Sequence, residues 1–327
     1  MKAALVFALL GAAGTAVAQE PPSPLLLVVN KFDSNLAIVD PASHRILGKV
    51  AVGHIPHEVA ASADGKFAYV TNYGTDENPS HSLSVIDVTA KKEIHRVELS
   101  PLFRPHGIAV ASGKVYFTAE SNKVIGRYDP ASNRVDWVQG TGQDQTHMVA
   151  LSRDDKTLFT TNILSDTISI WQRSESRGGW KQDVIHVGAG PEGFDLSPDG
   201  KQLWAANSRD GHVAIVDLAT KKLEQTFDVG TKRSNRLKFT PDGKTALVSD
   251  MGTGELIVVD VSSRTVTKRL PLGQAAEGIL LPPDGRHAYV ALTDDNAIAI
   301  VDLKSYSVVG RIETGKGPDG MAWLEGN

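Results

Sequence analysis

The stretch EGFDLSPDGKQLWAANSRDGHVAIVD, residues 192–217, contains the pattern that decides the fold. Apolar residues alternate through its first segment, a Pro-Asp-Gly turn follows, and two further apolar segments come after short polar connections. Alternation with a period of two is typical of half-buried β-strands, and a turn containing Gly is typical of a hairpin. The stretch therefore predicts three consecutive antiparallel strands.

Relatives of this stretch recur along most of the chain. Aligned on the first strand, the units begin at His57, His106, His147, Glu192, Asn235, Glu277 and Asp319. Subtracting successive residue numbers gives spacings of 41 to 49 residues. Self-similarity at a period of about 40 residues indicates a propeller or a solenoid. Each unit also has room for a fourth, outer strand, as in residues 308–313.

The two ends of the chain contain complementary parts of one unit. Residues 25–56 provide a second, a third and a fourth strand but no first strand, whereas residues 319–324 provide only a first strand. If these segments form one sheet, no strand edge remains free at the junction. We therefore expect an all-β, seven-bladed β-propeller with four-stranded blades, closed by its C-terminal first strand and forming one domain over residues 25–327.

The N-terminus has the features of a targeting segment. A positive start at Lys2 precedes an apolar run over residues 3–13, and Ala16-Val17-Ala18 resembles a cleavage site. We predict a signal peptide over residues 1–18 and a Pro-rich lead-in over residues 19–24, hence a periplasmic or secreted protein. An uncleaved anchor is the alternative. No later segment is apolar enough to cross a bilayer, so no membrane span is expected after cleavage.

Composition excludes several classes of protein. The chain has 327 residues, a formal charge of -4 and no Cys. The charge disfavours generic nucleic-acid binding, and the absence of Cys excludes disulfides, thiol catalysis and Cys-ligated metal centres. Phosphate-loop, nucleophile-elbow, HExxH and dinucleotide motifs are absent from the sequence. Because a closed propeller needs no partner to fold, we expect a monomer.

The repeated motifs resemble a known family. SPDGK (197–201) and AYVTN (68–72) resemble the YVTN-type seven-bladed β-propeller repeats of bacterial periplasmic and surface proteins, and the resemblance covers about residues 25–324. It implies the fold but not the function, because the repeat residues are structural. Residues 117–130 are also similar to the streptogramin-lyase branch of propellers, and lactonases form another enzymatic branch. No catalytic motif of either branch is found here.

The first-strand starts are the candidate site residues. In a propeller they crowd one mouth of the central channel, where a rigid scaffold presents a concave surface. Three successive blades present His57, His106 and His147 there, and imidazoles converging on one axis suit a divalent transition metal. Two alternatives are a metal-free ligand site with coupled titrations and a set of side chains that only hydrogen-bond loops or water.

Other residues of the mouth suggest possible chemistry. We predict that Glu192 and Glu277 move protons, and that Arg236, with other basic residues of the mouth-side loops, favours a small anionic substrate. Those basic residues are Arg104, Arg209, Lys232 and Arg233, and the long loop over residues 73–82 is a candidate lid.

Three functions are compatible with this mouth. The first is a metal-dependent lyase, lactonase-type hydrolase or oxidoreductase acting on a small molecule, in which the metal polarises an oxygen or activates water. The second is a non-enzymatic scaffold of the cell envelope that binds a ligand or a protein. The third is an accessory module of a redox or envelope system. The sequence names neither the substrate nor the metal.

Overall fold

The computed structural model describes residues 24–173 and 179–325, and it places them in seven four-stranded antiparallel sheets. The predicted signal peptide, nearly all of the lead-in and the last two residues lie outside these ranges, so those predictions stay predictions. The predicted fold class is confirmed: the strands form a seven-bladed propeller whose last strand completes the blade that begins the chain.

The strands are numbered in chain order, and the blades are numbered from the sheet that contains His57. Blades 1 and 2 consist of β4 (Pro56–Ala61), β5 (Phe67–Gly74), β6 (Pro79–Asp87) and β7 (Lys92–Glu98), then β8 (Pro105–Ala111), β9 (Lys114–Ala119), β10 (Val124–Asp129) and β11 (Arg134–Gly140). Blades 3 and 4 consist of β12 (Thr146–Leu151), β13 (Thr157–Asn162), β14 (Thr167–Arg173) and β15 (Trp180–His186), then β16 (Pro191–Leu196), β17 (Gln202–Asn207), β18 (His212–Asp217) and β19 (Lys222–Asp228).

The remaining three blades follow the same order. Blades 5 and 6 consist of β20 (Ser234–Phe239), β21 (Thr245–Asp250), β22 (Glu255–Asp260) and β23 (Thr265–Pro271), then β24 (Ala276–Leu280), β25 (His287–Leu292), β26 (Ala297–Asp302) and β27 (Ser307–Glu313). Blade 7 consists of β28 (Pro318–Leu324), β1 (Leu25–Asn30), β2 (Asn35–Asp40) and β3 (Arg45–Ala51). A single 3₁₀ turn, Glu120–Asn122, follows β9. Within the described ranges, no helix is both long and apolar enough to cross a bilayer.

The closing blade pairs strands from the two ends of the chain. β28 runs antiparallel to β1, with Leu25 opposite Leu324 and Asn30 opposite Pro318. The backbone N–H of Lys31 also donates to the carbonyl of Gly317 at 2.8 Å. This pairing covers the inner edge of β1, which would otherwise expose unpaired backbone groups.

The turns predicted from the repeat are formed by local hydrogen bonds. Asp199 accepts from the Ser197 hydroxyl at 2.7 Å and from the Lys201 N–H at 3.1 Å, while Gly200 adopts φ +70°. A left-handed backbone is costly for most residues and cheap for Gly, which explains its place in the turn. Asp217, at the end of a third strand, accepts from the Thr220 N–H at 2.7 Å, as a turn-capping residue should.

The hydrophobic core consists of separate layers between neighbouring blades. Phe159 and Ile168 of blade 3, for example, pack with Phe194 and Leu203 of blade 4 in one buried cluster. The second and third strands are buried along most of their length, whereas most residues of the fourth strands are exposed or half-buried. Packing of blade on blade excludes water and holds the first strands in fixed positions around the channel.

Candidate metal centre and ligand pocket

A pocket of about 580 Å³ opens at the mouth of the channel. Two repeated positions form most of its wall. One is the second residue of each first strand. The other, which lines the pocket in most blades, comes directly after the last second-strand residue that pairs with the first strand. The first position contributes the ring predicted from the sequence, and the second forms another tier. The residues that line the pocket are Lys31, His57, Tyr73, His106, Gln145, His147, Ile163, Glu192, Ser208, Arg209, Lys232, Arg233, Asn235, Arg236, Met251, Glu277 and Asp319.

Hydrogen bonds between blades fix the ring residues. Thr71 of β5 donates to the carbonyl of His106 at 2.8 Å, and Thr118 of β9 donates to the carbonyl of His147 at 2.6 Å. The same contact recurs at the next blades, where Thr161 donates to the carbonyl of Glu192 and Ser249 to that of Glu277. Each hydroxyl satisfies a buried carbonyl and thereby sets the depth of a ring side chain in the channel.

Glycines allow the first strands to touch one another around the axis. A Cβ atom on Gly107 would lie 2.5 Å from the carbonyl oxygen of His147, and one on Gly278 would lie 2.2 Å from that of Asp319. Such distances are far below van der Waals contact, so a side chain is excluded there. The close approach brings ring residues of successive blades within reach of one another.

The three predicted imidazoles come together. The rings of His106 and His147 stack with centroids 3.7 Å apart, and the rings of His57 and His106 lie 4.8 Å apart. Burial lowers the pKa of His57, and the hydrogen bond and charge of Asp319 offset this lowering only in part. Burial and the adjacent imidazoles hold the pKa of His106 well below its usual value. Both rings are therefore neutral at physiological pH, the state that binds metals.

The residues whose spacing suits a metal ion are only partly the predicted ones. His106, His147 and Glu120 are all buried, and each offers a donor atom within 4.8 Å of the others. His57 lies outside this group, although its Nδ1 is 3.2 Å from His106 Nε2 as well as 3.2 Å from Asp319 Oδ2. Whether His57 is a ligand stays a prediction, whereas the buried His-Glu-His group is a possible metal site.

Glu120 is not among the residues predicted from the sequence. When the second strands FAYVTN (67–72) and VYFTAE (115–120) are compared by their last polar residue, Glu120 takes the position of Asn72, but Ala119 pairs with Pro105 as Asn72 pairs with Pro56. Glu120 therefore occupies the second-tier position of its blade, where it is buried behind the pocket wall. Aligning the ends of the second strands by their pairing, rather than by their last polar residue, would have found it.

Both carboxylate oxygens of Glu120 have hydrogen-bond partners. Its Oε1 lies 2.5 Å from His147 Nδ1, and its Oε2 lies 2.5 Å from the Tyr73 hydroxyl. Burial would raise the pKa of Glu120, but the hydrogen bonds from His147 and Tyr73 and the charges of His147 and Arg104 together outweigh burial, so the pKa is lowered. Burial and the neighbouring Glu120 raise the pKa of Tyr73, so the phenol keeps its proton.

A second buried network joins blades 6, 7 and 1. Lys31 Nζ lies 2.5 Å from Glu277 Oε2 and 3.5 Å from Asp319 Oδ2. Burial lowers the pKa of Lys31, but attraction to the two carboxylates outweighs this, so the pKa is raised. Burial, followed by the charge of Asp319, raises the pKa of Glu277 to about 7. Asp319 stays ionised, because Lys31 and His57 outweigh its burial and lower its pKa.

Arg236 crosses the floor of the pocket. Its guanidinium forms a buried ion pair with Glu58 of blade 1 and lies 3.1 Å from Asn235 Oδ1. Glu58 and Arg236 occupy the register position that is Gly in four other blades, so two long side chains meet across the axis. The pair therefore joins blades 1 and 5.

The remaining predicted residues lie on the pocket or beside it. Glu192 lines the pocket and accepts from the Asn235 amide at 2.8 Å. Lys232 and Arg233 line it with exposed side chains that form no ion pair within the described ranges, whereas Arg209 is paired with Asp166.

The long loop is mostly regular structure. The two strands of its hairpin reach Gly74 and Pro79, so only residues 75–78 are irregular. Arg104, the other basic residue predicted for the mouth, is not part of the pocket wall. It pairs with Asp76 on this hairpin and contacts the Tyr73 hydroxyl. The hairpin is therefore fastened to blade 2, and its role as a lid stays a prediction.

A second cavity, of about 650 Å³, lies on the opposite face among the turns that join first and second strands of blades 3 to 5. It is larger than the mouth pocket, but its lining contains no His and is formed by repeat turns such as residues 197–200. We place the candidate site at the mouth, because only that pocket adjoins the buried His-Glu-His group.

The sequence comparisons give one match. A profile of a family described as "YNCE-like beta-propeller" matches residues 104–284. No curated protein sequence matches the chain significantly.

Solved structures with the same fold are numerous. Hydrazine synthase of Kuenenia stuttgartiensis matches with a TM-score of 0.74 and 21% identity, covering 89% of this chain and 98% of that one. A putative 6-phosphogluconolactonase of Bacteroides uniformis matches with a TM-score of 0.77 and 17% identity, covering 92% and 100%. The Pseudomonas aeruginosa periplasmic gluconolactonase, PpgL, matches with a TM-score of 0.75 and 16% identity, covering 93% and 100%. At these identities the likeness concerns the fold alone.

Proposed function

The chain belongs to the YNCE-like β-propeller family, and we propose that it binds a divalent transition-metal ion at the buried group formed by His106, Glu120 and His147, with the two imidazoles as ligands, and presents it to a small ligand. The observation that carries the proposal is the buried group itself, with donor atoms within 4.8 Å of one another. Among the described residues, His147 Nε2 and His106 Nδ1 are buried without any hydrogen-bond partner. Unpaired buried nitrogens are costly, and a bound ion would relieve that cost.

The pocket beside this group suits a small anionic ligand. Lys232 and Arg233 supply exposed positive charge at its rim, and Arg236 supplies a fixed positive charge at its floor. A volume of about 580 Å³ is within the usual range for small-molecule sites. We expect Glu192 and Glu277 to be the groups that transfer protons, because both line the pocket and the pKa of Glu277 is raised to about 7.

A metal-dependent hydrolysis or lyase reaction is the enzymatic form of the proposal. A metal ion in such a site polarises a carbonyl oxygen or activates water. Two similar folds carry lactonase names, so opening of a gluconolactone is the first reaction to test. The predicted signal peptide and the periplasmic neighbour support a periplasmic location for this activity.

Elemental analysis of protein purified from the periplasm without a His tag tests the proposal. We expect about one metal ion per chain, which the double variant His106→Ala/His147→Ala should lose. The matched control is His95→Ala/His186→Ala, because both side chains are exposed on fourth strands. Metal-free protein whose melting temperature does not change when Zn²⁺, Mn²⁺, Co²⁺ or Ni²⁺ is added would refute it.

A non-enzymatic envelope scaffold is the second candidate function. Phe32 is 59% exposed and Leu164 is 60% exposed, and each directly follows a second-tier position of the pocket wall, Lys31 or Ile163. Exposed apolar side chains beside a pocket are typical of protein-binding surfaces. Retention of an envelope protein by the wild type, but not by Phe32→Ser/Leu164→Ser, would favour this function over catalysis.

A further inference from the structure

We propose that Glu120 is a positioning residue for His147 rather than a metal ligand, and that the ion is bound by imidazole nitrogens, with His147 using Nε2. This inference rests on the proposed metal site and divides the roles within it. The argument comes from the direction of the hydrogen bonds around Glu120, which are fixed by a neighbouring residue that can only donate.

That neighbour is Arg104. Its Nη2 contacts the Tyr73 hydroxyl, and a guanidinium has five N–H donors and no acceptor. Tyr73 therefore accepts from Arg104 and directs its own single hydrogen toward Glu120 Oε2, which lies 2.5 Å away. The order of donation runs from Arg104 to Tyr73 to Glu120.

The direction of the hydrogen bond between His147 and Glu120 decides the tautomer of His147. An ionised carboxylate only accepts, so the contact of 2.5 Å between Glu120 Oε1 and His147 Nδ1 requires a hydrogen on Nδ1. The form of an imidazole that binds a metal is neutral and has one N–H, so in that form the lone pair lies on Nε2. That nitrogen is buried and has no partner among the residues that the structure describes. Both Glu120 oxygens, in contrast, already accept a hydrogen bond.

A carboxylate bound to the far nitrogen of a ligating His is a familiar arrangement. Such a group fixes the tautomer and the ring orientation and raises the basicity of the ligand. Asp319 Oδ2 lies 3.2 Å from His57 Nδ1 in a similar way, and the same nitrogen also lies 3.2 Å from His106 Nε2. His106 lies between the two pairs, stacked on His147 at 3.7 Å and 4.8 Å from the ring of His57.

The hairpin of β5 and β6 holds this chain of hydrogen bonds in place. Asp76 on the hairpin pairs with Arg104, whose guanidinium lies 4.3 Å above the ring of Tyr73. The Tyr73 ring also packs against His57, with centroids 4.5 Å apart, and against His106 at 5.2 Å. The long insertion of blade 1 thus has a specific role, because it positions Tyr73 between the carboxylate and the imidazoles.

The test has a metal-free part and a metal-bound part. In metal-free protein labelled with ¹⁵N, we expect the ring-nitrogen shifts of His147 to show the Nδ1–H tautomer. In protein loaded with Co²⁺, we expect Glu120→Gln and Tyr73→Phe to keep the visible absorption bands of the wild type. Their affinity for Co²⁺ should fall by about 10- to 100-fold, the usual effect of removing an outer partner of a ligand.

Two controls and three outcomes decide the inference. Tyr69→Phe is the same substitution in the same strand at a residue outside the pocket wall, and it should leave Co²⁺ affinity unchanged. His147→Ala should abolish binding. Shifted bands or complete loss of binding in Glu120→Gln would identify Glu120 as a ligand and overturn the inference while the metal site stands. An Nε2–H tautomer would also overturn it. Absence of Co²⁺ binding by the wild type would refute the metal site itself.

Discussion

Replacing Arg236 with Met tests whether the ion pair between Arg236 and Glu58 stabilises the fold. Arg236 and Glu58 are 7% and 11% exposed in their side chains, so removing the guanidinium leaves a buried carboxylate without its cation. Breaking a buried pair from one side costs about 3–5 kcal/mol. Met148 occupies the corresponding position of blade 3, so the register accepts a Met side chain.

The expected shift in melting temperature follows from the size of the fold. About 300 folded residues at an unfolding entropy of ~2.1 cal/mol/K each give ~0.6 kcal/mol/K in total. A loss of 3–5 kcal/mol therefore lowers the melting temperature by about 5–8 °C. The double variant Glu58→Leu/Arg236→Met removes both charges and should melt within about 2 °C of the wild type or above it.

Calorimetry of the wild type, both single variants and the double variant measures the coupling directly. A shift below about 2 °C for Arg236→Met would show that Glu58 does not depend on it, and additive losses in the double variant would show that the two side chains do not interact. Either result would refute the view that the pair stabilises the fold. A large loss of activity in a variant of normal stability would instead support the predicted catalytic role of Arg236.

Three further outcomes follow from the structure. Native Glu277 keeps its proton to about pH 7, whereas the unfolded chain releases it near pH 4.5, so the native state binds more protons between these values and the free energy of unfolding should fall as pH rises. Denaturant titrations of Glu277→Gln should show a weaker dependence of this free energy on pH. An unchanged dependence would contradict the raised pKa. Gly107→Ala should destabilise the fold by about 1–3 kcal/mol, since its Cβ would meet the backbone of the next first strand, whereas Gly140→Ala, with open space around it, should be nearly neutral in thermal melts. Asn72→Ala should cost about 1–3 kcal/mol in the same assay, because the buried N–H of Gly53 loses its acceptor; a neutral result would mean that water replaces it.

Much of the fold could be predicted from local sequence signals. Strand alternation and the Pro-Asp-Gly turns are set within about ten residues, and turns such as residues 197–200 form as expected. The missing first strand at one end and the extra one at the other predicted the closure between β28 and β1. The ring of first-strand residues followed from the same register, so His57, His106 and His147 could be placed at the pocket in advance.

The division of roles within the site could not be predicted. Glu120 enters the group because β9 ends one residue before the position expected from its neighbours, and no residue of the repeat signature marks that difference. His57 is drawn toward Asp319, a residue from the opposite end of the chain. Whether the site holds a metal, and which reaction it supports, stay proposals with the tests given above.

The sequence by itself determined the repeat, the number of blades and which first-strand side chains face the channel, because these depend on short-range alternation and turn chemistry. Only the tertiary structure decided which of those side chains pair with one another. Lys31 meets Glu277 and Arg236 meets Glu58 across separations of 246 and 178 residues. Such pairings depend on how closely the glycine-lined first strands approach around the axis, and no local pattern along the chain contains that distance.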